Sequence, residues 1–169
     1  MAEANRISTV LKQVLGPDRV PVKVGEVAVE YSRQRFADTP VFLIGTSRGT
    51  LSAANGGRAL TGRIAGVVLT ATMFLAARSG RGLSGFDYTT IRSPLLFAHH
   101  IEDGCFVTPY RNAKSLAEKF PLITVQGGDA ARSDPCEAFS AHGFLGKERE
   151  TVEAIVNWML NKPYRNNID

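Results

Sequence analysis

The fold of this chain is decided by one stretch of sequence, VFLIGTSRG at residues 41–49. Its first four residues, 41–44, are apolar on both faces of an extended chain, which is typical of a parallel strand covered by helices. The next five residues have the pattern Gly-x-Ser-x-Gly, and the small residues of segment 48–60 predict a helix directly after them. The stretch therefore predicts a strand, a tight turn at Ser47 and a helix in immediate succession.

Further apolar segments and helical patterns follow this unit along the chain. Strands are predicted at 65–70, 94–98 and 122–125, and helices at 7–15, 24–36 and 112–120. A last helix carries its apolar face on Val152, Ile155, Val156, Met159 and Leu160. Because apolar strands that alternate with helices indicate βαβ units, we predict an α/β fold with a mostly parallel sheet flanked by helices.

Length and composition indicate one domain of ordinary globular character. The 169 residues are 44% apolar and 21% charged, so we predict a single domain over residues 1–169. Within it, residues 1–36 form a mainly helical N-terminal region and residues 37–169 the core. No apolar run is long enough for a membrane span, and the first residues lack the pattern of a secretory signal. The compartment stays open: cytoplasmic by default, or exported if the chain is a fragment and its two cysteines form a disulfide.

Charge and motif context exclude several classes of partner. The net charge of +4 is spread along the chain, whereas a nucleic-acid-binding protein concentrates basic residues in a stripe beside aromatic ones. The Gly-x-Gly-x-x-Gly at 80–85 neither follows a strand nor opens a helix, so it does not predict a dinucleotide site. His99 and His100 are adjacent on a strand and point to opposite faces, which disfavours a shared metal ion. We expect neither cofactor nor metal.

The turn at Ser47 has the chemistry of an activated nucleophile. We expect Gly45 and Gly49 to be required because larger side chains would collide with neighbouring backbone. A strained turn directs the serine hydroxyl away from the sheet, and the following helix places N–H groups, that of Arg48 first, near a developing oxyanion. The alternative is a tight turn in which Ser47 caps the helix and has no catalytic role.

A serine nucleophile needs a base and an acid that orients it, and both have candidates beyond later strands. Asp103 follows the third strand, and His142 follows the fourth, just before the last helix. Glu102 is a rival acid that we expect to point away. Asp103 also begins a common turn pair with Gly104, and His142 is also compatible with a packing or capping role.

Three motifs give the chain a family resemblance: GTSRGT at 45–50, HHIEDGC at 99–105 and SAHG at 140–143. Over residues 24–161 the chain resembles the C-terminal half of an α/β-hydrolase, and it is similar to a bacterial subgroup that carries these segments. The resemblance implies that Ser47, Asp103 and His142 are nucleophile, acid and base. The family's first four strands have no counterpart here, so the fold is expected to be truncated and its second oxyanion donor has no evident source.

Two functions from different classes follow from these observations. The first is a serine hydrolase that cleaves small-molecule carboxylic esters through an acyl-enzyme. The second is a catalytically silent hydrolase-like module for binding or assembly, which the missing strands favour. Residues 71–88 are expected to shape the substrate pocket, with Phe74, Leu75 and Phe86 as its apolar lining.

Two further expectations concern the open edge of the sheet and the two cysteines. The strand at 41–44 would be an aggregation-prone open edge, so we expect the N-terminal region to cover it or a second copy to form a homodimer there. Within the N-terminal region, the alternating segment 20–24 is a candidate edge strand. Catalysis by Asp103 and His142 requires their loops to converge, which brings Cys105 and Cys136 near each other. We therefore predict a Cys105–Cys136 disulfide; the alternative is two free thiols, as is usual in the cytosol.

Overall fold

The computed structural model describes residues 20–78 and 80–169, with side chains from residue 25 onward. In this part of the chain, none of the helices combines the length and apolar character needed to cross a membrane. The helices are α1 (Val20–Arg35), α2 (Gly49–Ala59), α3 (Tyr110–Leu116) and α4 (Glu148–Met159). The strands are β1 (Phe42–Thr46), β2 (Gly66–Thr70), β3 (Leu95–His100), β4 (Leu122–Val125) and β5 (Asn167–Ile168).

The five strands form one sheet in the order β1-β2-β3-β4-β5, and every pairing is parallel. This arrangement confirms the predicted α/β class. In the register of the ladder, Thr46 of β1 lies opposite Thr70 of β2, and Thr70 lies opposite Ala98 of β3. Because parallel strands end on the same side, the loops that follow β1, β3 and β4 all leave the sheet at its carboxyl edge.

Apolar residues cover both faces of the sheet. On one face, strand residues such as Leu69 and Phe97 pack with Leu60 at the end of α2, and Val29 of α1 and Ala113 of α3 join the same cluster. On the other face the strands contribute Val68, Leu96, Ile123 and Val125, which pack with Ala154 and Ile155 of α4. The helices on both faces explain why β2 is buried along its whole length.

The expected edge strand at residues 20–24 is wrong, because α1 begins at Val20 and includes this whole segment. Pro21 lies in the first turn of the helix, where a missing backbone N–H costs nothing, and five alternating residues are too few to outweigh a sixteen-residue helix. Among the described strands, none pairs with the outer edge of β1, and Ile44 is 54% exposed there. The homodimer predicted from this edge stays a prediction.

One predicted helix has no counterpart among the described residues to compare with it, and one observed strand was not predicted. The helix predicted at 7–15 lies outside the described residues. β5 was not predicted, because its two residues, one of them the polar Asn167, are too short to form a recognisable pattern. Its pairing with β4 buries Ile168 almost completely. The division into residues 1–36 and 37–169 stays a prediction.

Candidate active site

Ser47 lies at the carboxyl end of β1 in a left-handed backbone conformation with a φ of +50°. Its N–H donates to the carbonyl oxygen of Thr70 at 3.0 Å, and its own carbonyl accepts from the N–H of Thr50 at 3.0 Å and from the Thr50 hydroxyl at 2.5 Å. A non-glycine residue in this conformation costs about 1–3 kcal/mol and persists only where its surroundings hold it. These hydrogen bonds to the next strand and to α2 provide that restraint.

The two glycines of the turn have different roles. A Cβ atom on Gly45 would lie 2.5 Å from the Gly49 carbonyl oxygen and 2.8 Å from the Ala53 Cβ, so a side chain there collides as expected. The same expectation for Gly49 is wrong, because a Cβ at that position meets nothing within 4 Å. Gly49 is the exposed first residue of α2, where an added side chain has open space.

The N–H of Arg48, directly after Ser47, is available for a developing negative charge. Within the described chain, the N–H of Arg48 has no acceptor, and this residue is exposed at the start of α2. In the loop after β2, three backbone N–H groups already have acceptors. That of Thr72 donates to His99 Nε2, that of Met73 to the Thr50 hydroxyl oxygen and that of Phe74 to the Val107 carbonyl oxygen. These three groups therefore supply no second donor.

The side chains of Asp103 and His142 form a buried hydrogen-bond contact. His142 Nδ1 lies 3.0 Å from Asp103 Oδ2 and 3.3 Å from Oδ1, the Asp103 side chain is fully buried and the His142 side chain is 5% exposed. Asp103 Oδ1 also accepts the N–H of Cys105 at 2.9 Å. The rival acid Glu102 is exposed, and its N–H donates to His100 Nδ1 at 3.1 Å. The loops after β3 and β4 thus converge as the sequence analysis expected.

Local structure fixes the position of His142. It is the middle residue of a single 3₁₀ turn, Ala141–Gly143, and its N–H donates to the Ser140 hydroxyl oxygen at 3.2 Å. The buried Ser140 hydroxyl in turn donates to the carbonyl of Glu137 at 2.8 Å. A Cβ on Gly143 would overlap the Ala138 carbonyl, so only glycine permits this close approach. The SAHG segment is therefore a compact support for the imidazole ring.

The predicted disulfide between Cys105 and Cys136 is present, with a Cα–Cα distance of 4.6 Å and a sequence separation of 31 residues. Cys105 is buried two residues after Asp103, whereas Cys136 is exposed six residues before His142. The bond thus joins the loop that carries the carboxylate to the loop that carries the imidazole.

His99 and His100 hold different parts of the chain. His99 Nε2 accepts the N–H of Thr72 at 2.9 Å, and the complete burial of the ring lowers the pKa of His99 to about 3, so the ring is neutral. His100 accepts from Glu102 at Nδ1, which leaves Nε2–H to donate to the Gly127 carbonyl at 2.9 Å. Each ring therefore ties a loop to β3. The described residues contain no cluster of three or more His, Cys, Asp or Glu side chains suited to a metal ion.

Apolar packing links the helix after Ser47 to the loop that carries Asp103. Leu51, on the first turn of α2, packs against Met73, Cys105 and Val107 of the two neighbouring loops. Among the described residues, the hydroxyl of Ser47 makes no hydrogen bond. In structures without substrate, hydrogen bonds between catalytic groups are often long or poorly aligned.

The residues predicted to line a pocket have defined packing. Phe74 is buried and its ring stacks on that of His99, with centroids 5.6 Å apart. Leu75 is half-buried, and Phe86 packs edge-on against Tyr88 and lies under the Arg58 guanidinium at 5.3 Å. Their contribution to substrate binding stays a prediction.

Sequence reasoning missed one side chain that the structure brings to the pair, Thr108. Its hydroxyl lies 2.7 Å from Asp103 Oδ2. A threonine followed by proline before a helix is a common sequence, and no feature of it indicates a contact with a residue of another loop.

Comparisons with known proteins add no family to this geometry. No protein-family model matches the chain, and no curated protein matches it.

Proposed function

We propose that this protein is a serine hydrolase that cleaves carboxylic esters of small molecules. The observation that carries the proposal is the left-handed backbone of Ser47 at the end of a parallel strand, on the same sheet edge as the buried Asp103–His142 pair. A strained serine in a strand-turn-helix unit, followed along the chain by an acid and then a histidine, is the arrangement of the α/β-hydrolases. We propose that the chain is a truncated member of that superfamily.

The reaction would proceed in two balanced steps. Ser47 Oγ attacks the acyl carbon while His142 Nε2 takes the hydroxyl proton, and Asp103 stabilises the resulting imidazolium through Nδ1–H. The N–H of Arg48 stabilises the oxyanion of the tetrahedral intermediate. The imidazolium returns its proton to the leaving alcohol, and a water molecule then releases the acid from the acyl-enzyme by the same exchange of protons.

A second candidate, a catalytically silent binding or assembly module, is favoured by the sheet edge next to Ser47. The outer edge of β1 pairs with no other strand among the described residues, and the Arg48 N–H is the one oxyanion donor that we assign. Loss of one oxyanion donor typically costs about 10²–10³-fold in rate. A silent module would keep the fold and bind ligands without turnover.

Covalent labelling with a fluorophosphonate separates the two candidates. We expect the parent protein and Ser52→Ala to be labelled and Ser47→Ala not, because the reagent captures activated serines. Ser52 is a matched control, since it is exposed on α2 five residues from Ser47. A folded parent that takes no label would contradict the hydrolase and support the silent module.

Ester turnover then tests the partners of Ser47. Hydrolysis of an activated ester such as 4-nitrophenyl acetate should fall about 10⁴-fold or more in His142→Ala, and less in Asp103→Asn. The reason is that the base removes the proton, whereas the acid holds and stabilises the base. Full activity in either variant would reassign that role to another residue.

A further inference from the structure

Thr108 is enclosed between the two members of the buried pair. Its side chain is fully buried, and its hydroxyl oxygen lies 2.7 Å from Asp103 Oδ2 and 3.3 Å from His142 Nδ1. A third neighbour, the carbonyl oxygen of Cys105, is also 3.3 Å away. The hydroxyl has three polar neighbours and one proton to donate.

Hydrogen-bonding capacity decides where that proton goes. The ionised Asp103 carboxylate only accepts, and its Oδ2 atom is by far the closest neighbour, so the Thr108 hydroxyl donates to Oδ2. If it donated instead to His142 Nδ1, that nitrogen would carry no proton and Nε2 would carry it. Nε2 could then not accept a proton from Ser47. Donation to Asp103 is therefore the arrangement that agrees with a basic Nε2.

We propose that Thr108 is a positioning residue that selects the Nδ1–H tautomer of His142 and fixes the Asp103 carboxylate opposite it. Two donors, the threonine hydroxyl and the imidazole Nδ1–H, converge on one carboxylate oxygen, and the Cys105 N–H holds the other. Such support from outside the reacting groups sets the orientation of a ligand or base. The consequence for turnover rests on the proposed hydrolase function, but the effect on the Asp103–His142 pair does not.

The first test is independent of catalysis and observes the pair directly by NMR. A proton shared between imidazole Nδ1 and a carboxylate resonates at unusually low field, and its loss in His142→Ala identifies it. We expect the resonance to move or disappear in Thr108→Val, which keeps the shape and removes the hydroxyl, and to persist in Thr108→Ser. The control is Thr151→Val. Thr151 is another buried threonine, on α4, and its hydroxyl donates to the carbonyl of Lys147 just before that helix. Thr108→Ala is the second hydroxyl-free variant if Thr108→Val does not fold.

The second test measures kcat and KM for an activated ester. Because the Thr108 side chain is fully buried against the Asp103–His142 pair, we expect kcat to fall about 10- to 100-fold in Thr108→Val with KM unchanged. This is the size of a lost hydrogen bond to a charged group. Thr108→Ser should restore kcat. In an Asp103→Asn background the same substitution should have little further effect, because Thr108 acts through that carboxylate.

The outcomes separate this inference from the proposed function. An unchanged low-field resonance in both hydroxyl-free variants would overturn the inference, as would additive losses in the Asp103→Asn background. A resonance that changes as expected in a parent protein that takes no fluorophosphonate label would support the positioning of the pair and contradict the hydrolase.

Discussion

The two sides of the candidate site are built very differently. On the acid–base side, Asp103 and His142 are buried in contact, Thr108 donates to the carboxylate, and a disulfide joins their loops. On the nucleophile side, Ser47 follows an edge strand, and the Ile44 side chain on that strand is about half exposed.

The difference shows which part of the candidate site is held in place by contacts within the described chain. The acid–base side has its buried polar atoms held by neighbours from two loops, so its geometry depends on contacts within the described chain. On the nucleophile side, the strained turn at Ser47 is held by hydrogen bonds to β2 and α2. We therefore expect substitutions on the acid–base side to have the larger effect on the free energy of unfolding. On the nucleophile side, we expect the effect of a substitution to depend on its position in the turn at Ser47.

The disulfide gives the largest expected effect on stability. Replacement of both cysteines, Cys105→Ala with Cys136→Ala, should lower the free energy of unfolding by about 3–4 kcal/mol, because the bond restricts a closed loop of about 30 residues in the unfolded chain. Urea unfolding of the oxidised parent and of the double variant measures the difference. A reductant should destabilise the parent and leave the double variant unchanged. Two free thiols in the freshly purified, denatured parent, together with equal stability of the variant, would refute the disulfide.

The glycine pair on the nucleophile side gives an intermediate effect. Gly45→Ala should destabilise the protein by about 1–3 kcal/mol, because its Cβ overlaps the Gly49 backbone and the Ala53 side chain. Gly49→Ala should be neutral or stabilise by up to about 1 kcal/mol, since the position is helical and open. Urea midpoints of the two variants provide the comparison, each being the control for the other. Equal destabilisation would mean that the turn differs from the one described.

His99, between the two sides, has no expected effect on stability at pH 8 and an effect that grows as the pH falls. Burial lowers the pKa of His99 to about 3 in the folded protein, whereas an exposed histidine has a pKa of about 6.5. As pH falls below about 6.5 the unfolded chain binds a proton that the folded protein does not, so stability decreases until about pH 3. We expect the parent to lose up to about 1.4 kcal/mol per pH unit more than His99→Gln in this window. Unfolding at pH 8, where both slopes should agree, is the control, and parallel curves at all pH values would contradict the prediction.

The sequence predicted the strands of the sheet core well because their signal is local. Segment 122–125 has the predicted bounds, and β1 and β3 differ from them by one or two residues. Convergence of the loops around Asp103 and His142 was also predictable, since parallel strands end at one edge. The bounds of α1 were less predictable, because a short alternating segment fits both a strand and the first turns of a helix.

Contacts between loops account for what the sequence could not reveal. Thr108 and Asp103 are five residues apart in one loop, but the contact of Thr108 with His142 depends on how a second loop folds over it. The open space at Gly49 depends on the direction of its missing Cβ relative to solvent. Neither quantity is encoded in residue type or in spacing along the chain.

The strand order of the sheet also constrains how the protein folds. Each strand pairs with the strand that follows it in sequence, so the sheet is able to grow by adding one unit at a time without inserting a strand between two others. The entropic cost of closing a loop rises only slowly with loop length, so no single strand-pairing step carries most of that cost. Cys105 follows β3 and Cys136 follows β4, so the pairing of these strands brings the two cysteines to the same edge of the sheet. Strand pairing therefore favours oxidation of the two thiols, and the disulfide in turn opposes separation of β3 and β4.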